Sequence, residues 1–515
     1  MKTTLISTST FPSDQGIRTI SSVLKKEGYQ VKLIFMTLSE DYSRNYTPQE
    51  LKQLAEICKG SGLIGVSSYA STAERAKRII LFLKKRLNVP IVYGGVHATI
   101  SPELCIQQAD IVCVGEGEKA VIELADAIEK NKSINKIKNL WIKQQEKGKG
   151  EIIKNPVREV IDNIDTLPFP DFDIQNHYIL EKGKIRKFQE EDLAGEIFFL
   201  TGRGCPYGCD YCSNSFFNKL YQGKRKQIMR WHSPEYIIKG ILYMKNKFPS
   251  LGYFDIRDDT FSLRPLEDIR KFCQLYKEKV RMRFKCLGDP KTIDEEKVKL
   301  LVDAGCTDII IGIQGTERVN LEVYHRNQTD ANVLKAAKIL SKYKDKLAVM
   351  YDVIACNPYE KSQDIINIIR LLQKIPKPYY LSVNNLVFFP GSQLYRRAVQ
   401  DGTIKTEKDA AYQLNYWDRT KHILLKKKNI YLNLILNLMR GPATEKRFGL
   451  MPNFLLNYLL KEKRIKRNLR NTSLSHIALY FVSISDLIRE RILKPAYHSL
   501  PVQFKIWYDK TRYRV

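Results

Sequence analysis

The stretch Ile197-Phe198-Phe199-Leu200-Thr201-Gly202-Arg203-Gly204-Cys205-Pro206-Tyr207-Gly208-Cys209-Asp210-Tyr211-Cys212 decides how this chain is read. An apolar, strand-favouring run passes through a glycine-rich turn into three cysteines spaced C-x3-C-x2-C. Clustered thiolates select a soft metal centre, zinc or iron–sulfur. A structural zinc site wants four protein ligands. No fourth Cys or His lies in the loop, and the next histidine, His232, is well downstream. Three thiolates on a [4Fe–4S] cluster leave one iron open, and the glycines let the backbone wrap around it without Cβ clashes. Cys205, Cys209 and Cys212 are therefore expected to ligate a [4Fe–4S] cluster, with zinc as the alternative at this point.

On the C-terminal side, apolar runs and helical patterns alternate. Ile197–Thr201, Gly252–Ile256, Met282–Cys286, Asp308–Ile313, Val349–Ile354 and Leu381–Leu386 read as strands, with Ser233–Lys247, Leu266–Lys277, Glu295–Ala304 and Val333–Tyr343 among the intervening helices. Six such units predict a partial (βα)6 TIM-like barrel over residues 191–415, with its chemistry at the C-terminal ends of the strands.

On the N-terminal side, Thr3–Thr8, Val31–Phe35, Leu63–Ser67, Ile91–Gly94 and Ile111–Val114 alternate with helical segments. This predicts a five-stranded doubly wound, Rossmann-like domain over residues 1–135, of the smaller flavodoxin-like kind. No G-x-G-x-x-G follows the first strand, which argues against a dinucleotide. Residues 136–190, with Leu167-Pro168-Phe169-Pro170-Asp171, are expected to connect the two domains, because two prolines in three positions resist helix. Residues 416–515 predict a mainly helical, basic C-terminal region. Its helices are expected at Asn429–Met439, Met451–Leu460 and Leu474–Leu493, and its tail from Phe504 mixes aromatic and basic residues.

At 515 residues and 43% hydrophobic composition the chain can bury more than one core. The other seven cysteines (Cys58, Cys105, Cys113, Cys273, Cys286, Cys306 and Cys356) stand apart and read as buried hydrophobes rather than a disulfide scaffold. The start, Met1 to Ile6, passes straight into a strand-like run, and no apolar run is long enough to span a bilayer, so a soluble cytoplasmic protein is expected. The net charge of +29 suggests nucleic acid, an anionic membrane surface or an acidic substrate. Between Lys421 and Val515 there are 20 Lys/Arg against 5 Asp/Glu, so the last fifth carries about half of the excess. No nucleic-acid module is recognisable, which sets nucleic acid aside. The basic helices suit peripheral contact with anionic lipid, a charged lid, or an ordinary helical domain with a solvated face.

The cysteine motif after a first barrel strand, with an aromatic before its last Cys, resembles the radical S-adenosylmethionine superfamily. The resemblance implies that the open iron chelates the methionine moiety of S-adenosylmethionine and that its cleavage yields a 5′-deoxyadenosyl radical. It places Tyr211 near the adenine. Phe254-Asp255-Ile256-Arg257-Asp258-Asp259-Thr260-Phe261 is similar to the acidic segment after the second strand, so Asp258 and Asp259 would receive the methionine ammonium; capping of the next helix is the alternative. Gly312-Ile313-Gln314-Gly315-Thr316-Glu317-Arg318 resembles the Gly-x-Glu-Ser segment after the fourth strand, with Gln314 in place of Glu. Arg326 matches the basic residue that pairs with the methionine carboxylate, a task suited to a bidentate guanidinium; a solvated helix-end Arg is the other reading. Asn384 to Gly391 resembles the last-strand segment bordering the adenine.

Residues 1–130 resemble the cobalamin-binding domain that precedes the barrel in one branch of that superfamily. The resemblance rests on Tyr93-Gly94-Gly95-Val96-His97-Ala98-Thr99, Pro102-Glu103 and Val114-Gly115-Glu116-Gly117-Glu118. Cobalamin contacts are expected from Thr8, Ser67, Gly94, Gly95, His97, Gly115 and Glu116, in loops at C-terminal strand ends. The Asp-x-His-x-x-Gly sequence that supplies a cobalt ligand is absent, and His97 is read as a loop hydrogen-bonder. The implied function is cobalamin-dependent radical methylation of an unactivated carbon in a small-molecule or lipid-like substrate, with flavodoxin or ferredoxin as electron donor. A radical cyclase or rearrangement enzyme with the same cofactors is one alternative. An iron–sulfur binding or redox-sensing protein without turnover is another.

Overall fold

Strands β1 (Lys2–Ser7), β2 (Gln30–Phe35), β3 (Leu63–Ser67), β4 (Ile91–Gly94) and β5 (Ile111–Cys113) are buried apolar runs. They lie side by side in the order β5-β4-β3-β1-β2, all parallel. This is the flavodoxin-like order, whose switch point falls between β1 and β3. The computed structural model describes residues 1–38, 44–144, 151–193, 196–406, 429–470, 473, 475–477 and 479–481.

The sheet is wider than the five expected strands. β6 (Leu140–Lys143) and β7 (Ile152–Lys154) extend it antiparallel beyond β5, β8 (His177–Glu181) pairs parallel with β2, and β9 (Lys184–Lys187) closes that edge as a hairpin. The stretch expected only to connect the domains thus supplies four strands. They are short, and the two at the sheet edges, β7 and β9, carry Lys, which blunts an edge and hides its apolar alternation in sequence. The proline-stiffened segment docks on the first helix, Gln15–Lys26, where Arg18 donates to the Asp171 carbonyl. That guanidinium is fully buried between the rings of Phe35 and Phe172, at 4.5 and 4.3 Å.

The second sheet begins at β10 (Glu196–Phe199). A two-stranded ribbon of β11 (Gly202–Arg203) and β12 (Arg230–Trp231) follows, and then β13 (Tyr253–Ile256), β14 (Arg283–Gly288), β15 (Cys306–Gln314), β16 (Ala348–Ala355) and β17 (Tyr379–Asn385). β10 and β13 to β17 form the six parallel strands of the expected partial barrel. Alternate residues such as Phe254, Phe284, Ile311, Tyr351 and Val383 are buried against the outer helices, in a hydrophobic core continuous with Leu5, Ile17 and Leu24 of the N-terminal domain.

Beyond β17, the described part of the C-terminal region is not only helical. β18 (Gly441–Ala443), β19 (Arg447–Phe448) and β20 (Met451–Pro452) continue the second sheet antiparallel. Strands of two or three residues carry no period that a sequence reading could detect. Helices at Ile430–Leu438, Asn453–Leu459 and Glu462–Arg470 accompany them. Most of the helix expected at Leu474–Leu493, and the tail from Phe504, lie outside the described residues. Among the described residues no helix is long and apolar enough to cross a membrane.

Candidate active site at the facing ends of the two sheets

The cysteine loop is built from its first turn. Asp258, just after β13, is buried and accepts hydrogen bonds from the backbone amides of Thr201 (2.6 Å) and Gly202 (3.1 Å) and from the Thr201 hydroxyl. Arg264 donates to the Thr201 carbonyl at 2.5 Å. Gly204 has a φ of +99°, and a Cβ there would lie 2.2 Å from the Ile228 carbonyl oxygen, so only glycine passes. The loop then fastens to the barrel's last units: Asp210 donates its amide to Tyr324 (2.9 Å) and accepts from the Leu394 amide (2.8 Å).

Cys205 and Cys209 are buried and Cys212 is half-buried. Burial pushes Cys205 up to about 12 and Cys212 up to about 11, and the neighbouring thiols and Asp259 add to this. Burial also raises Cys209, opposed by the Arg326 guanidinium. Loading a metal centre must therefore displace protons from these thiols, and Arg326 favours the thiolates of Cys209 and Cys212. His232 stacks on Tyr236 at 4.1 Å and holds Asp165 at 2.8 Å, so it is committed away from the cysteines. Among the described residues no three His, Cys, Asp or Glu converge on one point as a single ion requires. Three mutually interacting thiols, with no His or fourth Cys joining them among the described residues, fit a multi-iron cluster better than a zinc ion.

Arg326 is the hub of the S-adenosylmethionine candidates, and it is buried rather than a solvated helix-end residue. It donates to Tyr211 Oη (2.9 Å), Asp289 Oδ2 (2.6 Å), the Gly312 carbonyl (3.1 Å) and Gln328 Oε1 (3.1 Å). Gln314 lies beside it: a Cβ on Gly312 would be 2.6 Å from Gln314 Nε2 and 3.4 Å from Arg326 Nη2. Gln314 itself has a left-handed φ of +64°, a conformation that costs energy outside glycine and clusters at functional sites. Asp259 reaches the cysteines from the other side. Desolvation pushes its carboxyl up to about 6 although Asn214 donates a hydrogen bond to it. Tyr211, Gln314, Arg326 and Asp259 thus gather around the cysteine loop, whereas Asp258 sits beneath it as a capping group. Asp289, Gln328 and Asn214 belong to the same constellation and were missed, because single polar residues in loops and at helix starts carry no spacing signal.

The cobalamin candidates divide. Thr8 Oγ1 donates to the Ser67 carbonyl (3.1 Å) and to Thr72 Oγ1 (2.9 Å), so both residues line the crevice at the β1/β3 switch point. Gly95 has a φ of +91°, and its Cβ would lie 2.6 Å from Ser67 Oγ, which lets the turn after β4 close on β3. His97 donates its amide to the Ser68 carbonyl, and burial pushes its imidazole down to about 4, so it is neutral. Gly94 adjoins the same edge. Phe11 and Tyr69, in the loops after β1 and β3, are 46% and 44% exposed. Gly115 and Glu116 are covered instead. A Cβ on Gly115 would lie 2.4 Å from Tyr221 Oη, and the Glu116 carboxylate is held by Arg230 (2.5 Å) and Arg203 (3.4 Å). Their place is the contact between the domains.

The crevice opens onto the barrel mouth. Phe11 meets Phe198 of β10 edge-on at 5.3 Å, Gln15 donates to the Phe198 carbonyl at 2.6 Å, and Ala70 packs with Val387 and Phe389 beyond β17.

Comparison with known proteins agrees with this arrangement. Residues 199–372 match the Radical SAM superfamily and residues 1–125 match the B12 binding domain. The chain is 25% identical over 397 residues to an uncharacterised methyltransferase of Pyrococcus horikoshii, across 76% of this chain and 79% of that one. It is 23% identical over 353 residues to the bacteriochlorophyllide d C-8(2)-methyltransferase of Chlorobaculum tepidum, across 67% and 70%. Its fold resembles that of the cobalamin-dependent S-adenosylmethionine radical enzyme OxsB, solved with aqua-cobalamin and S-adenosylmethionine bound, with a TM-score of 0.63 at 17% identity, covering 95% of this chain and 75% of that one. The chain belongs to the branch of the radical S-adenosylmethionine superfamily that carries a B12-binding domain ahead of its barrel, with a [4Fe–4S] cluster, S-adenosylmethionine and cobalamin as its cofactors.

Proposed function

We propose that this enzyme transfers a methyl group to an unactivated carbon of a substrate seated at the barrel mouth. The observation that carries the reading is the juxtaposition of Phe11 and Phe198, which sets the switch-point crevice directly against the end of the barrel. When bound, the cluster and S-adenosylmethionine supply the radical that opens a C–H bond, and cobalamin supplies the methyl group. Cys205, Cys209 and Cys212 hold the cluster; Arg326 and Gln314 orient S-adenosylmethionine, and Asp259 receives its ammonium. Thr8, Ser67, Gly94, Gly95 and the neutral His97 shape the crevice for cobalamin. The joined core of the two domains keeps the crevice and the mouth in register and limits access of water.

A low-potential donor such as flavodoxin or ferredoxin supplies the electrons. The C-terminal region adds a surface for anionic lipid. Leu450, Phe454 and Tyr458 are 69%, 77% and 41% exposed, beside the basic helix Glu462–Arg470.

The reading is tested by anaerobic reconstitution with cobalamin, a reductant and S-adenosylmethionine labelled in its methyl group, followed by mass spectrometry of small-molecule and lipid extracts. Transfer of one labelled methyl together with 5′-deoxyadenosine release is expected. Deoxyadenosine with an unmethylated, cyclised product would favour the cyclase reading, and no deoxyadenosine from a fully loaded cluster would overturn radical catalysis.

A further inference from the structure

The inward face of the barrel is charged, where such barrels are usually filled by branched apolar side chains. Asp255 of β13 is fully buried, and its Oδ2 accepts both Arg257 Nε (2.5 Å) and Lys285 Nζ (2.7 Å). Its Oδ1 is buried without a hydrogen-bond partner among the described residues. Register places Asp255 beside Lys285, and Asp352 of β16 beside Ser382 of β17, all on the face opposite the buried outer-core residues. Asp352 interacts with Ser382, Asn384, Arg257 and Arg440.

Arg257 stands at the rim of this face. Asp255 fixes its Nε, and its guanidinium lies over the Phe198 ring at 4.7 Å. It is held on one edge by Asp255 and on one face by Phe198, and its side chain is still 41% exposed. An arginine fixed in this way is prepared for bidentate pairing with a planar oxyanion, because little further side-chain freedom is lost on binding. Phe198, between Arg257 and the crevice residue Phe11, puts this cluster between the two cofactor sites.

We propose that the barrel mouth holds an oxyanion-binding subsite built on Arg257, and that the substrate presents a carboxylate or phosphate to it. This rests on the reading that the substrate sits at the barrel mouth. Arg257 is a specificity-determining residue that anchors the anionic end and leaves the reacting carbon free to lie towards the cysteine loop.

The test measures binding by isothermal titration to the full chain, reconstituted with cluster and cobalamin, using phenylacetate, phenyl phosphate and the neutral phenylacetamide as probes. At least one anionic probe is expected to bind and the amide is not; the tighter anion identifies the oxyanion class. Arg257→Met is expected to weaken the anion by about tenfold or more, and Arg257→Lys to restore part of the loss. Lys285 still neutralises Asp255 in the variant, and an unchanged unfolding temperature would confirm an intact fold. Equal binding of amide and anion, no binding of any probe, or an unchanged affinity in a folded Arg257→Met protein would each overturn the proposal. The readout needs no turnover, so failure here leaves methyl transfer standing, and failure of methyl transfer leaves the subsite standing.

Discussion

Arg203, two residues before the first cluster cysteine, pairs with Glu118 at the head of the helix Glu118–Glu129 across a distance of 2.7 Å. Glu116 bridges the same Arg203 and Arg230, so the N-terminal domain grips the start of the cysteine loop through two carboxylates and two guanidinium groups. Burial alone would raise the Glu116 carboxyl, and Arg203 and Arg230 overcome it and hold it below its ordinary value. A depressed carboxylate contributes stability that is complete above its unfolded value of 4.5 and lost as pH falls below it. Glu116→Ala strands Arg230, which is 5% exposed, and should lower unfolding free energy by about 2–3 kcal/mol at neutral pH. It should also reduce iron per chain after reconstitution. Urea unfolding and iron analysis measure the two effects; unchanged iron would show that the grip does not position the loop.

Asp258 and Asp259 are adjacent in sequence and part company in the fold, which gives opposite expectations for their variants. Asp258→Ala leaves the buried amides of Thr201 and Gly202 without an acceptor and should cost about 2–4 kcal/mol of stability. The affinity of whatever folded protein remains for S-adenosylmethionine should hardly change. Asp259→Asn should leave stability nearly unchanged and weaken S-adenosylmethionine by about tenfold or more. Denaturant midpoints and equilibrium dialysis of the reconstituted enzyme separate the two, and exchanged phenotypes would reverse the assignment.

How much of this was legible beforehand depended on the length of the signal. Apolar strands such as Leu63–Ser67, bracketed by helices, were readable because burial on both sides leaves a continuous run. The cysteine loop was readable because three like ligands at fixed spacing are improbable by chance. The edge strands at Ile152–Lys154 and Lys184–Lys187 were hidden by their lysines, and β18 to β20 by their brevity. At the site, Arg326 was reachable through resemblance, but Asp289, which holds it at 2.6 Å, lies 37 residues away and meets it only through the β14/β15 pairing. Glu116 looked like a ligand residue in a glycine-rich loop, and only the fold reveals that Arg230 had claimed it.

His97 gives a pH signature. Burial holds its imidazole at about 4 against an ordinary 6.5, so between those values the unfolded chain binds a proton that the folded chain refuses. Stability is then complete above 6.5 and declines as pH falls towards 4. His97→Gln should remove this contribution and make unfolding free energy less sensitive to acid, by about 2 kcal/mol between roughly pH 7.5 and pH 5. Urea titrations of both proteins at the two pH values measure it. The same variant should keep cobalamin bound with an unaltered visible spectrum; a shifted spectrum would mean that the imidazole reaches the cobalt.

Phe454 and Tyr458 lie one helical turn apart on the helix Asn453–Leu459, with Leu450 just before it, and all three face solvent. The Arg464 guanidinium lies over the Tyr458 ring at 3.7 Å, which sets the basic helix alongside this apolar stripe. An apolar stripe that enters a bilayer interface beside cations that meet its headgroups should bind anionic vesicles and ignore neutral ones, and lose the attraction as salt screens it. The full chain is therefore expected to sediment with phosphatidylglycerol-containing vesicles and not with phosphatidylcholine alone. Burying a Leu or Phe side chain is worth about 2 kcal/mol, so Leu450→Ser with Phe454→Ser should cut vesicle partitioning at least about tenfold. Both substitutions lie on exposed positions, so the unfolding midpoint should stay within a degree or two, roughly, of the parent. Equal partitioning of parent and variant would show that charge alone, or another surface, makes the contact.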